Sequence, residues 1–319
     1  MVYSIFCLLA RRIHRYRAGS NLLVNERVIS KLLISLLTSS MGGMILELSR
    51  RFYPAAVNEW VEITPLSLRL PRLASEFHGY RLVQISDFHI GTWLKRPRLE
   101  EAVEMVNRLR PDLVAITGDF VTFEPRRFAP DLVATLRQLT PRDGTLAVLG
   151  NHDYWTNPQI VRQVWAEAGI IDLSNTVYTL RRGNAELHIA GVDCVMEGMD
   201  RLDLVISQLP AEGAAVLLAH EPDFADISAS TGRFDLQISG HSHGGQIRLP
   251  RFRPPILPRF ARKYPSGLYQ VGGMHLYTNR GLGTAELEIR VNCPPEITLY
   301  SLQSLDGNGP AGNNQADSF

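Results

Sequence analysis

Carboxylates, imidazoles and one carboxamide recur in this chain at spacings that suit metal chemistry. Asp87 and His89 are one residue apart, and Asp119 follows Gly118. Gly150, Asn151, His152 and Asp153 are contiguous. His220 stands alone behind an apolar run, and His241 and His243 flank Ser242 after Gly240. Taken singly, each has an ordinary explanation. Asp-x-His is a common surface triplet and Gly-Asp is turn chemistry. Asn-His-Asp can cap a helix, and a lone histidine is more often structural than a ligand. As a set, Asp, His and Asn without Cys suit Mn²⁺, Fe²⁺ or Zn²⁺ better than Ca²⁺ or a structural zinc site. Two aspartates against two divalent ions would leave a net charge of about +2, which attracts phosphate oxygens. Ions ~3.5–4 Å apart can lower the pKa of bound water and clamp an in-line displacement at phosphorus.

The elements that must position these groups are legible around them. Short apolar runs at 81–86, 112–117, 145–149, 214–219 and 235–239 each end at one of the groups above, and a sixth, 186–192, ends at Asp193 and Cys194. Continuous apolar runs of this length suit strands covered on both faces. The stretches 98–109 and 157–168 have helical period. The second has Asn157 as its cap, Pro158 in its first turn and Gly169 just beyond its end. Alternating strands and helices predict an α/β architecture with much parallel pairing. Ligands in such sheets bind beyond the carboxyl ends of the strands, where five strands deliver Asp, Asn and His. Joint occurrence at five strand ends removes the all-structural reading that each motif allows alone.

Composition bounds the alternatives. The chain has 319 residues, 33 basic against 32 acidic, with 45% apolar and 20% charged residues. These are values of an ordinary globular protein, not of a disordered chain or a disulfide-stapled miniprotein. A net charge of +1 argues against a dedicated nucleic-acid binder. Cys7, Cys194 and Cys293 are far apart and odd in number, which makes neither a disulfide framework nor a Cys-based zinc site. Cys194 reads as a small buried residue rather than a nucleophile.

The motifs Asp87-x-His89, Gly118-Asp119, Gly150-Asn151-His152-Asp153, His220 and Gly240-His241-Ser242-His243 resemble the five motifs of calcineurin-like metallophosphoesterases, over roughly 77–301. The resemblance implies a four-layer α-β-β-α sandwich, two mixed sheets flanked by helices. It also implies a dinuclear metal-dependent phosphoesterase in which water activated between the ions is the attacking group. Asp87, His89 and His243 would hold one ion, Asn151, His220 and His241 the other, with Asp119 bridging. His152 would not be a ligand but would face the leaving group, as general acid or electrostatic stabiliser. The ions would be two divalent metals, manganese first, with iron or zinc as alternatives.

Two departures narrow the class. Purple acid phosphatases have Tyr three residues after the bridging Asp, and many other relatives have an Asp there that orients the motif histidine; here the residue is Thr122. Protein phosphatases have Arg before Gly-Asn-His, and here it is Leu149. The phrases VQISDFHIG, GHSHGGQIRLP, YTNRGLGT and CPPEITL resemble a membrane-associated bacterial subgroup that includes UDP-2,3-diacylglucosamine hydrolases. That narrows the expected substrate to a phosphodiester or pyrophosphate on a lipid-linked or membrane-associated molecule. Two alternatives are a phosphodiesterase acting on soluble nucleotides and a non-catalytic metal-binding scaffold.

The ends differ from the middle, dividing the chain into a basic N-terminal region (1–75), a metallophosphoesterase domain (76–303) and a disordered tail (304–319). Residues 32–46 carry no charge and follow a basic stretch. As a helix they would span ~22 Å, short of the ~30 Å hydrocarbon core. Segment 28–48 therefore reads as a membrane anchor or signal segment, and the chain as associated with a bacterial inner or plasma membrane, its side undecided. Residues 247–263 carry six basic and no acidic residues, interleaved with Phe252, Ile256, Leu257 and Phe260. Within this loop Arg248, Arg251 and Arg253 are candidates for substrate binding, and the loop for contact with an anionic membrane surface. No nucleic-acid partner is expected.

Overall fold

The computed structural model describes residues 60–248, 253–285 and 288–306. The segment 28–48, Arg251 and the tail beyond 306 lie outside the described residues. All six apolar runs are strands: β2 (Tyr80–Ile85), β3 (Leu113–Thr117), β4 (Thr145–Val148), β7 (Ala185–Gly191), β8 (Ala214–Leu218) and β9 (Leu236–Ser239). The other six are β1 (Glu62–Arg69), β5 (Ile170–Asp172), β6 (Thr176–Arg182), β10 (Gly267–Val271), β11 (Met274–Thr278) and β12 (Glu296–Gln303). The longer helices are α1 (Arg96–Arg108), α2 (Pro125–Leu136) and α4 (Pro158–Ala168). Shorter ones are α3 (Asn151–Thr156), α5 (Leu202–Gln208) and α6 (Ala225–Ser230).

The strands form two six-stranded sheets, ordered β1-β12-β2-β3-β4-β5 and β10-β11-β9-β8-β7-β6. The central pairs β2–β3, β3–β4, β7–β8 and β8–β9 are parallel. Antiparallel β12–β2, β10–β11 and β6–β7 pairs make both sheets mixed. Side-chain alternation explains the layering. In β3, Leu113 and Ala115 point into a core between the sheets, where Leu187, Val216 and Ile238 meet them. Val114 and Ile116 point the other way, against Val103 and Val106 of α1 and Leu132 of α2. On the far face of the second sheet, Ala215 and Leu217 pack with Val205 of α5 and Ala225 of α6. Three apolar interlayers between four layers make the expected α-β-β-α sandwich.

The central strands β3, β4, β8 and β9 are buried on both faces because helices cover what the sheets do not cover for each other. α4 begins where its sequence signals lie: the Asn157 side chain accepts a hydrogen bond from the Ile160 N–H, and Gly169 ends the helix in the left-handed region. The carboxyl ends of β2, β3, β4, β8 and β9 run directly into the residues singled out above. No helix of the described residues is long and apolar enough to cross a membrane.

Candidate metal centre

The candidate ligands converge into two overlapping groups. Ligand atoms of Asp87, His89, Asp119 and His243 lie within 4.8 Å of one another, as do those of Asp119, His220 and His241. Asp119 is common to both. Its Oδ2 is 3.4 Å from His89 Nε2 and 3.2 Å from His220 Nε2. His243 Nε2 is 3.0 Å from His89 Nε2 and 3.5 Å from Asp87 Oδ1. Every one of these side chains is buried, and so is Asn151.

Outer contacts fix which ring nitrogen faces inward. His220 Nδ1–H donates to the Thr117 carbonyl at 2.6 Å, leaving Nε2 toward Asp119. His241 Nε2–H donates to the Arg259 carbonyl at 2.7 Å, leaving Nδ1 toward the cluster. His89 Nδ1 shares a hydrogen bond of 2.7 Å with Thr122 Oγ1, so its Nε2 turns inward. Histidines that ligate metals are oriented through their second nitrogen in this way. Thr122 thus takes up a different partner from the one expected of an acid at its position. It holds His89, whose Nε2 faces the cluster, rather than His152.

Two buried polar atoms test whether cations fit here. Asn151 Oδ1 and His220 Nε2 have no hydrogen-bond partner among the described residues. The 3.2 Å approach of His220 Nε2 to Asp119 lacks hydrogen-bond geometry. Both atoms are good donors to a divalent ion, and a buried polar atom without a partner is costly. Burial disfavours charge on Asp119, but the His220, His152 and His89 imidazoles overcome it and hold its carboxyl well below the usual range. Burial, abetted by Asp119, raises Asp87. Two carboxylates with opposed tendencies and inward-facing imidazole nitrogens make a donor set that a pair of cations would satisfy.

The backbone is bent to aim these groups. Asp87, His89, Asp119, His241 and His243 all have φ between 46° and 69°. The left-handed region costs a non-glycine residue roughly 1–2 kcal/mol, and such strain concentrates at functional sites. Two motif glycines are explained by close approach. A Cβ on Gly150 would lie 2.2 Å from Asp119 Oδ1, and one on Gly240 would lie 2.1 Å from Ser86 Oγ and 2.4 Å from Asp87 Oδ2.

Sequence reasoning missed the groups that support this arrangement. The buried Asp153 carboxylate accepts from the N–H groups of Asp119 (3.0 Å), Phe120 (2.9 Å) and Gly150 (3.0 Å), tying the ends of β3 and β4 together. Burial and nearby Asp119 push its carboxyl up to about 7 against those bonds. Glu221, also buried, accepts from the Cys194 thiol (3.1 Å) and the N–H groups of Val195 (3.1 Å) and Met196 (2.9 Å). The half-buried Arg290 donates to carbonyls of Arg280 and Gly283. That secures the turn whose Gly283 N–H donates to the Asp87 carbonyl at 2.7 Å. Asp153 stands in the Gly150–Asp153 motif with no role assigned to it there, and Glu221 directly follows His220, the one signal that pointed to either. Arg290 carries no such signal.

His152 sits at the rim. Its N–H donates to Asp119 Oδ1 at 2.9 Å. Its ring meets His89 edge-on at 4.7 Å and Trp155 at 4.6 Å. Burial pushes the imidazole down to about 3. Of the three candidate arginines, Arg248 is half-buried and Arg253 exposed, while Arg251 lies outside the described residues. The same loop contributes to the centre through its backbone, since it carries the Arg259 carbonyl that orients His241. Cys194 is fully buried, as expected, and burial raises its thiol far above the usual range.

Comparison with known proteins gives a consistent result. The family model described as calcineurin-like phosphoesterase matches residues 80–245. The chain is 32% identical to "Uncharacterized metallophosphoesterase YkuE" of Bacillus subtilis over 77% of this chain and 87% of that one. It is 28% identical to "Phosphodiesterase YaeI" of Escherichia coli over 76% and 88%. It is 31% identical to a "Transmembrane protein with metallophosphoesterase domain" of Danio rerio, over 76% of this chain and 57% of that one.

Proposed function

The chain belongs to the calcineurin-like phosphoesterase family of hydrolases, and from that premise we propose that its Asp–His–Asn cluster holds two divalent ions and hydrolyses phosphodiesters or pyrophosphates. Asp87, His89 and His243 take one ion, Asn151, His220 and His241 the other, and Asp119 reaches both. The observation that carries this reading is the position of Asp119 Oδ2, between His89 Nε2 at 3.4 Å and His220 Nε2 at 3.2 Å. A single carboxylate oxygen faces imidazoles from both groups. Manganese is the metal we assign first, with iron or zinc as alternatives, because N/O donor sets accept all three. Bound ions would supply Lewis-acid charge for the phosphoryl oxygens and lower the pKa of a water at the site.

The chain's own residues do the rest. Asp119 links the centre to the rim, since its Oδ1 accepts the His152 N–H while its Oδ2 faces the imidazoles. The His152 ring stands where one imidazole N–H can donate to a departing oxygen and stabilise its charge. Arg248, Arg251 and Arg253 offer positive charge to the remaining anionic groups of the substrate. The interior location of the donors keeps bulk water from competing for them.

Two features favour a lipid-linked or membrane-associated substrate, such as UDP-2,3-diacylglucosamine, over a soluble nucleotide. They are the uncharged stretch 32–46 behind a basic segment and the basic–apolar loop 247–263. A relative named as a transmembrane protein points the same way.

Hydrolysis of bis(p-nitrophenyl) phosphate by the full chain, after metal removal and return of Mn²⁺, is the test. Activity should reappear with the metal and fall by at least about 10³-fold in Asp119→Asn. A folded protein that purifies without stoichiometric metal and is indifferent to Asp119→Asn would instead be a scaffold. Faster turnover of lipid-linked pyrophosphates than of soluble nucleotide diesters decides the substrate class.

A further inference from the structure

A row of three rings leads from the cluster to solvent. His89 is fully buried. His152, 4.7 Å away by ring centres, is half-buried. Trp155, 4.6 Å beyond it at 54°, is 48% exposed. His152 and Trp155 lie three residues apart on α3, which puts them on one helix face. A large indole left half in water at a site rim, with its inner side packed, offers an apolar plane to whatever enters.

The indole is also held still. Its Nε1–H donates to Glu197 Oε1 at 2.8 Å. Glu197 belongs to the loop whose Cys194, Val195 and Met196 are bonded by the buried Glu221 carboxylate, next in sequence to His220. The wall beside the rim is therefore tied back to the metal-facing histidine. A pre-positioned ring loses little conformational freedom when a ligand stacks on it.

Resting on the phosphoesterase reading above, we infer that Trp155 is a specificity-determining residue that stacks against a planar aromatic group carried by the substrate. A phosphoryl group at the cluster directs the substituent that departs past His152 along the indole face. Two sources share this chemistry: an aryl group linked directly at phosphorus, and a nucleobase one sugar further out. Stacking on a fixed aromatic ring is sequence-tolerant and specific for flatness, so the wall would favour aromatic over alkyl phosphoesters.

Isothermal titration of the full-length Mn²⁺-loaded protein with paired ligands tests this without relying on turnover. One pair is phenylphosphonate and methylphosphonate, and the other is uridine 5′-monophosphate and ribose 5-phosphate. The aromatic member of at least one pair should bind wild type about tenfold more tightly. Trp155→Ala should remove most of that preference, read as the affinity ratio within each pair, and Trp155→Phe should retain it. A preference in the phosphonate pair identifies a ring at phosphorus, and one in the nucleotide pair identifies a nucleobase. No Trp155-dependent preference in either pair overturns the inference, as does equal loss of all four ligands in Trp155→Ala. If wild type binds none of the four yet hydrolyses bis(p-nitrophenyl) phosphate with Mn²⁺, this inference alone is overturned; if it does neither, the phosphoesterase reading fails and this inference with it.

Discussion

Asp153 illustrates how much of the centre rests on a residue that touches no candidate ion. Its carboxylate gathers backbone N–H groups from Asp119, Phe120 and Gly150 and so sets the distance between the ends of two strands. An amide in its place would turn an NH₂ donor toward N–H donors. Leaving buried donors unpaired costs ~1–3 kcal/mol, more where a charged acceptor is lost. Asp153→Asn should therefore destabilise the protein by about 2–4 kcal/mol in urea unfolding, and weaken Mn²⁺ binding as well. Unchanged stability would mean that the three N–H groups find other acceptors. The contrast with Thr122 is instructive. Sequence comparison raised the question of how His152 is oriented without an acid at 122. The answer is packing: the ring lies between His89 and Trp155, and Thr122 serves His89 instead.

Single elements carry the positioning. Each of β2, β3, β4, β8 and β9 delivers its chemistry in the first few residues after the strand ends, where the chain is free to take left-handed conformations that a strand forbids. Helix α4 contributes no candidate ligand and gives a control. Asn157 caps it through the Ile160 N–H at 3.2 Å. Asn157→Ala should cost about 1 kcal/mol and leave metal affinity unaltered, read by thermal unfolding and by Mn²⁺ titration. A loss of metal affinity would mean that α4 also shapes the centre. The two caps of α4 were readable because both use local side-chain chemistry, Asn at one end and Gly at the other. Strand β1 was not readable. Its partner β12 lies more than 230 residues along the chain, and nothing local to 62–69 announces that pairing.

At the scale of the whole molecule, the fold buries a concentration of polar and titratable groups between two sheet edges. Asp87, His89, Asp119, Asn151, His220, His241 and His243 are all 5% exposed or less. Such a cluster opposes folding unless the groups pair with each other or with cations. Cations that bind the folded state alone should stabilise it by mass action. Chelation should lower the melting temperature of the full chain by about 5 °C or more, and Mn²⁺ should restore it. In Asp119→Asn the metal-dependent rise should shrink or vanish. A melting temperature indifferent to metal in the wild type would argue against tight occupancy of the cluster.

The candidate ligands and their order along the chain were determined locally. Metal-type side chains must follow strands closely to leave the sheet edge together, and that proximity is a one-dimensional signal. Strand periods, the caps of α4 and the burial of Cys194 were equally local. Tertiary structure alone decided the rest, because it depends on contacts between distant segments. It inserted β12 between β1 and β2, split the strands into two mixed sheets, and made backbone anchors of Asp153, a motif residue with no role assigned from sequence, and Glu221, a motif neighbour. It set Arg290 behind the Asp87 turn and brought the rings of His89, His152 and Trp155 into successive contact. Spacing can say which groups share an edge. Which nitrogen faces inward, and which ring is left at the rim, follows only from what packs behind them.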